Sequence, residues 1–205
     1  MPRDKTLSHI KVNKAIKEEF LEKGYEAASI RSIGARAGMT SAGLYRHYAD
    51  KEAMYSAMVE PLIEEIRTWT RKHTEKKYNL IEKRKDKSDL FGESFIDMIR
   101  EVILPRRDEF KLLMTCSSGT RYENFLHEFV QENQKEFLEA IGILKENGYP
   151  VTLVDEEELH MLLSAYLTAC FEPIIHGVDE AKLDKYLNTI QEFFMPGWLK
   201  IMGIN

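Results

Sequence analysis

Apolar residues recur every three to four positions along most of the chain, with no strand-like alternation and no internal repeat, so the pattern predicts helix nearly throughout. The first stripe, Val12, Ala15, Ile16 and Phe20, ends at Gly24, a residue able to take the left-handed conformation that closes a helix. Tyr25 is expected to fold back onto that helix. Ser29 reads as the N-cap of a short second helix with Ile30, Ile33 and Ala37 inward and Gly38 as its stop. Thr40 caps a third helix over 41–48, which turns Leu44 and Tyr48 to the core. Only Gly38-Met39-Thr40 separates these two helices, the tight turn with a leading glycine that a helix-turn-helix requires. Asp50 caps a fourth helix that runs from Lys51 into the charged seventies.

Beyond a charge-dense stretch at 71–89, apolar stripes predict helices near 90–104, 107–116 and 121–146. Turns are expected at Pro105, at Ser117-Ser118-Gly119 and at Asn147-Gly148-Tyr149-Pro150. Two long helices close the chain. One runs over about 155–176 with Leu159, Leu162, Leu163, Tyr166 and Cys170 along one side and Gly177 as its stop. The other carries Leu183, Leu187, Ile190, Phe194 and Trp198, with a kink expected at Pro196.

Composition narrows the class. A chain of 205 residues that is 43% hydrophobic and 31% charged can bury a core and is too apolar for disorder over most of its length. No apolar run approaches the roughly 20 residues that span a bilayer, and the first nine residues are polar and basic, so no membrane partner is expected and the cytoplasm is the expected location. Cys116 and Cys170 form no CxxC pair and are expected to be free thiols. The net charge of -5 conceals an asymmetry: residues 1–51 hold ten Lys/Arg against six Asp/Glu, a net +4, which leaves -9 on the remainder. A basic head on an acidic body is the electrostatic outline of a nucleic-acid-binding module joined to a part with another task.

Gly24-Tyr25-Glu26-Ala27, Ile30, Ile33, Ala37-Gly38-Met39-Thr40, Leu44-Tyr45-Arg46-His47-Tyr48 and Lys51-Glu52 fall together at a spacing that resembles the TetR family of bacterial transcriptional regulators. The resemblance spans about residues 12–58. It implies an all-α fold: a helix-turn-helix DNA-binding domain over 1–51, with a flexible tail at 1–8, and a helical ligand-binding and dimerisation domain over 52–205. In the DNA-binding head, Ser41 can hydrogen-bond a base edge or phosphate, Ala42 can touch a thymine methyl, and Gly43 admits close approach of the duplex. With Arg31, Thr40 and Arg46 these form the expected contact set. Tyr45 and His47 resemble the family's phosphate-contacting aromatic and histidine, and Lys51, opening the fourth helix, is expected to share a phosphate with its free N–H groups. Arg3 and Lys5 are candidates for the minor groove. Two departures from the family pattern stand out: Ala42-Gly43 replaces Gly followed by a small residue, and Gly34 stands where Ala is usual, at about 1 kcal/mol of helix propensity.

For the body, the resemblance implies an effector pocket enclosed by helices, and aromatic and Met residues suit an adaptable lining. Trp69, Phe95, Met98, Phe110, Met114, Tyr122, Phe125, Tyr166 and Phe171 are the candidates. The last two helices are expected to form a four-helix bundle with a second copy through Leu159, Leu163, Tyr166, Leu183, Leu187, Ile190, Phe194 and Trp198. No nucleophile elbow, HExxH or CxxC-type metal pattern, or Gly-rich phosphate loop occurs, so neither an enzyme nor a cofactor is expected. The functional expectation is a homodimeric repressor released from a palindromic operator by a small apolar or aromatic effector. The alternative is a dimeric regulator without an effector, controlled by a protein partner or by its own concentration.

Overall fold

The computed structural model describes residues 5–82, 95–152 and 154–203, so Arg3 lies outside the described residues. Every regular element among them is helical: α1 (Lys5–Ala27), α2 (Ile30–Ala37), α3 (Ser41–Leu44), α4 (Lys51–Glu82), α5 (Phe95–Met98), α6 (Arg107–Thr115), α7 (Phe125–Glu146), α8 (Glu156–Ile175) and α9 (Glu180–Ile201). The chain divides into two compact units. One comprises Met1–Glu65 and Arg106–Phe125, the other Ile66–Pro105 and Leu126–Asn205.

The first unit is built on the stripe read from the sequence. Val12, Ile16 and Phe20 of α1, Ile33 of α2 and Leu44 of α3 have no exposed surface, and they share one core with Met54, Tyr55 and Val59 of α4 and Leu112 and Leu113 of α6. Gly24 breaks α1 with φ 73° and ψ 168°, as a helix-stopping glycine should. The chain then folds back, so that the Tyr25 ring lies 5.8 Å from Phe20 and 5.4 Å from Tyr55. The segment 106–125 joins this unit through polar contacts as well as apolar ones. The Tyr55 hydroxyl donates to the Leu112 carbonyl at 2.7 Å, the Tyr25 N–H to the Cys116 carbonyl at 3.0 Å, and the Lys17 ammonium to Glu109 at 2.6 Å.

One carboxylate in this unit is fully buried and still charged. Glu19 on α1 accepts from the Ser32 hydroxyl at 2.7 Å, from Arg36 Nε at 2.9 Å and from the Lys23 ammonium at 2.9 Å, with the Ser29 N–H at 3.4 Å. Burial alone would raise its pKa; the hydrogen bonds from Ser32, Lys23 and Ser29 and the Lys23 charge outweigh it and bring the carboxyl down to about 2. Arg36, also paired with Glu22, thereby ties α2 to α1.

The second unit packs α8 and α9 over an aromatic centre. Phe95 lies 6.0 Å from Phe129, 5.7 Å from Tyr166 and 5.5 Å from Phe171, and Tyr166 lies 5.1 Å from Phe194 and 6.0 Å from Trp198. Asp155 and Glu158 form a reciprocal capping box at the start of α8, and Asp179 caps α9. Cys116 and Cys170 are both free and buried; apolar burial pushes the Cys170 thiol up to about 12.

Several expectations need correction. The helix expected near 90–104 is described only from Phe95, and it widens into a π turn (Ile99–Ile103) before tightening into a 3-10 turn (Leu104–Arg106). Pro105 has no N–H to donate and its ring crowds the carbonyl four residues back, which weakens a regular α-turn there. Pro196 lies within the span of α9 (Glu180–Ile201). The stripe expected to meet a partner is largely the inward one: Leu159, Leu163, Tyr166, Leu183, Leu187 and Trp198 are all buried within the single chain. Ile190 and Phe194 are half-buried, and the large apolar side chains left in solvent are Met161 and Leu162 on α8 and Tyr186 and Phe193 on α9. A short-range pattern identifies an apolar face but cannot say whether the same chain or a second one covers it.

The Glu19 network carries a pH signature. Its folded carboxyl titrates below the ordinary value of 4.5, so its stabilisation is complete above that pH and drains as pH falls toward about 2. Glu19→Gln is expected to lower stability at neutral pH by roughly 2–3 kcal/mol, with the gap to wild type closing through that acid window in urea melts followed by circular dichroism.

Candidate nucleic-acid interface

The turn between α2 and α3 is set by backbone hydrogen bonds. The Ser29 hydroxyl caps α2 by accepting the Ser32 N–H at 3.1 Å, and Gly38 ends it in the left-handed conformation (φ 68°, ψ 35°), donating to the Ala35 carbonyl. The Met39 N–H then reaches the Gly34 carbonyl at 2.9 Å, and the Thr40 hydroxyl accepts the Gly43 N–H at 3.1 Å to cap α3. Gly34 explains itself here. A Cβ at this position would stand 2.9 Å from the Met39 carbonyl oxygen and 3.5 Å from the Ser41 nitrogen, so the turn lies on bare backbone.

The helix expected over 41–48 is shorter. Regular α-helix covers only Ser41–Leu44, and Tyr45, Arg46 and His47 form a turn. Hydrogen bonding nevertheless continues, with mixed spacing: Arg46 N–H to Gly43, His47 N–H to Leu44 at 2.8 Å and Tyr48 N–H to Leu44 at 3.1 Å. The segment keeps a helical course while its last turn tightens. Leu44 is fully buried, whereas Tyr48 is half-buried and its hydroxyl donates to Asn13 Oδ1 on α1 at 2.6 Å. Desolvation holds the Tyr48 phenol above its usual pKa, with the Asn13 bond acting in the opposite sense.

On the outer side, Arg31, Thr40, Ala42, Tyr45 and Arg46 are exposed, and Ser41, Gly43 and His47 are partly so. Among the described residues, the side chains of Arg31, Tyr45 and Arg46 have no hydrogen-bond or ion-pair partner. Thr40 spends its oxygen on the cap and keeps its O–H to donate. Lys51 is partly exposed and has partners within the chain. Its ammonium donates to the Glu26 carbonyl at 3.2 Å and lies 4.6 Å from the centre of the Tyr25 ring, and burial lowers its pKa against the opposing pull of Glu26 and Glu19. Asp50 already occupies the Ala53 N–H at 2.7 Å. At the start of α4 the Lys51 ammonium and the Ala53 N–H thus both have partners within the chain. Sequence reasoning also missed Glu19 and Asn13, which orient α2 and the segment after α3. A glutamate on an amphipathic helix looks like any solvated one; a tyrosine at an inward position, whose hydroxyl needs a partner, was the available signal for Asn13.

The candidate effector residues fall in both units. Phe110, Met114, Tyr122 and Phe125 belong to the first unit and Trp69, Phe95, Met98, Tyr166 and Phe171 to the second. Phe95, Tyr166 and Phe171 pack on one another, Trp69 stacks on His73 at 3.6 Å and donates its indole N–H to Glu101, and Tyr122 donates to Glu60. Within the second unit a cavity of about 240 Å³ lies between α4 and α7, with Ile66 and Phe129 among polar walls from Arg67, Thr70, Arg71, Thr74, Glu132, Asn133 and Glu136. Among the described residues no three His, Cys, Asp or Glu side chains gather as a metal site, and no helix is long and apolar enough to cross a membrane.

Gly34 and Gly43 predict opposite outcomes. Gly34→Ala gains helix propensity but forces the turn away from Met39, and it is expected to lower the melting temperature, since overpacking costs about 1–3 kcal/mol. A Cβ at Gly43 meets nothing nearer than 3.5 Å, so Gly43→Ala is expected to melt no lower than wild type. Differential scanning calorimetry of the two variants checks both.

Residues 14–58 match the family model described as bacterial regulatory proteins, tetR family. No curated protein matches the chain. Among solved structures, the chain resembles one assigned to the TetR family of transcriptional regulators from Mesorhizobium loti MAFF303099, with 14% identity over 94% of this chain and 96% of that one and a TM-score of 0.48. It also resembles NalD, the secondary repressor of the MexAB-OprM multidrug efflux pump in Pseudomonas aeruginosa, with 16% identity over 96% and 97% of the two chains and a TM-score of 0.44. The weight rests on residues 14–58, whose capped turn and buried Ile33 and Leu44 are in the structure as described above: over that segment the chain carries the helix-turn-helix head described for the tetR family of bacterial regulatory proteins, a family of DNA-binding transcriptional regulators.

Proposed function

We propose that this regulator is a homodimeric repressor that reads a palindromic operator with residues 40–47 and Arg31, and that a small molecule held by the body releases it. Residues 1–51 act as the DNA-reading domain and 52–205 as the effector and dimerisation domain. The observation that carries the reading is the division of labour around α3: Ile33 and Leu44 are fully buried beneath it, while Arg31, Tyr45 and Arg46 point no hydrogen bond or ion pair back at the described protein. Cations and a phenol left without internal partners beside small residues are what a phosphate backbone and a groove floor require. Nothing in this reading calls for catalysis.

Dimerisation is assigned to the outer faces of α8 and α9. Met161 and Phe193 are 63% and 78% exposed and stand with Leu162 and Tyr186 as apolar surface that a second copy would cover, and Ser164, Ala165, Thr168 and Ala169 leave α8 open to close approach. The occupant is a second copy, because a palindrome is read by two heads related by a twofold axis. For the effector, Ile66 and Phe129 supply an apolar floor within polar walls, which suits an aromatic body carrying polar ends.

Arg46→Ala and Tyr45→Phe are each expected to weaken binding to operator DNA selected from random duplexes, Arg46→Ala by roughly tenfold or more with a shallower salt dependence in fluorescence anisotropy. Unchanged affinity in both would remove the segment from the interface. Met161→Glu with Phe193→Glu is expected to give a folded monomer by sedimentation velocity, since both side chains are exposed; a persistent dimer would place the interface elsewhere. Native mass spectrometry of the protein purified from its own host tests the effector: an excess mass lost on denaturation is expected.

A further inference from the structure

We propose that His9 is a further DNA-binding residue, forming with His47 a clamp of two imidazoles on a single backbone phosphate and so carrying the interface from the recognition segment onto α1. The inference rests on the reading of residues 40–47 as the DNA-contacting segment. His9 is exposed near the start of α1, outside the helix-turn-helix segment and outside the expected contact set. Its ring centre lies 5.8 Å from that of His47, tilted by 35°, and 5.8 Å from that of Tyr48, nearly parallel at 25°.

The placement is held by a neighbour. Asn13, one helical turn after His9, accepts the Tyr48 hydroxyl at 2.6 Å, which pins this face of α1 to the end of the recognition segment. Among the described residues neither imidazole has a hydrogen-bond or ion-pair partner. Two unoccupied donors are therefore fixed side by side at the edge of the surface formed by Tyr45, Arg46 and His47. A charge-assisted N–H to phosphate bond is about 2.8 Å long, so rings at this separation reach different non-bridging oxygens of one phosphate without moving apart. Tyr48 then serves two elements: its ring lies against His9 and its hydroxyl sets the distance between α1 and the segment that carries His47.

The test is a double-mutant cycle on DNA, measured by fluorescence anisotropy on a duplex selected with the intact wild-type protein. His9→Ala and His47→Ala are each expected to lower affinity about fivefold to tenfold, and the double variant little more than either alone. Uncharged methylphosphonate groups are then placed one at a time along the duplex. A single position is expected at which wild-type affinity drops and both His9→Ala and His47→Ala lose their effect. Wild-type affinity in His9→Ala, or losses that survive every methylphosphonate position, would overturn the clamp. If His9→Ala is silent while Arg46→Ala weakens binding, only the clamp fails; if the protein selects no DNA, the clamp and the interface reading fall together. Circular dichroism melts of the variants, whose substituted side chains are exposed or half-exposed, guard against loss of fold.

Discussion

A carboxylate without access to water stays ionised only where its surroundings replace the hydrogen bonds that water would give, and the head of this protein is arranged around one such group. Glu19 draws its donors from the chain entering α2, from Ser29 and Ser32, and from Arg36 near the end of α2, with Lys23 adding a charge from its own helix. Those bonds fix the rotation of α2 about its axis as well as its distance from α1. The course of α2 determines where Gly34 presents bare backbone, and the Met39–Ser41 turn lies against that backbone. The direction of α3 is therefore a consequence of charge satisfaction two elements earlier. Apolar packing of Ile33 and Leu44 supplies cohesion but, being non-directional, would tolerate other angles.

Much of this head was legible in the chain. Caps and stops are local chemistry, so Ser29, Gly38 and Thr40 mark the boundaries of α2 and the start of α3, and Gly24 marks the break in α1. What depended on distant residues was not. Nothing within four residues of Glu19 announces that Arg36 will reach it, and Gly34 reads as a propensity defect until Met39 is placed above it. The end of α3 was overestimated because periodicity does not distinguish an α-turn from the tighter turn through Tyr45–His47. The contacts of the Lys51 ammonium with the Glu26 carbonyl and the Tyr25 ring were not legible either, because they depend on where the end of α1 is placed.

The body shows the same limit in a stronger form. Ring-rich helices can enclose a ligand or one another, and in the second unit Phe95, Tyr166 and Phe171 chose one another. The polar-walled cavity between α4 and α7 includes none of the residues selected for aromatic character, because its lining combines side chains of ordinary surface type. Likewise, α8 and α9 each carry more apolar residues than one face can bury. Leu159, Leu163, Leu183 and Leu187 are among those that serve the fold, whereas Met161, Leu162, Tyr186 and Phe193 stay outside. Excess hydrophobicity in a helix pair, more than the stripe itself, is the better indication of a further surface.

The outer positions of α3 and of the turn after it take no part in the core of the head. Ala42, Tyr45 and Arg46 are exposed, Tyr45 and Arg46 have no polar partner in the described protein, and the space beside Gly43 is open to a methyl group. Mutational drift at these sites is thus uncoupled from folding, whereas Glu19, Gly34 and Leu44 a few ångströms inward are locked. A lineage can rewrite which duplex its head prefers while leaving the architecture that presents it unchanged, which is the condition under which duplicated regulators diverge to new target genes without passing through unfolded intermediates.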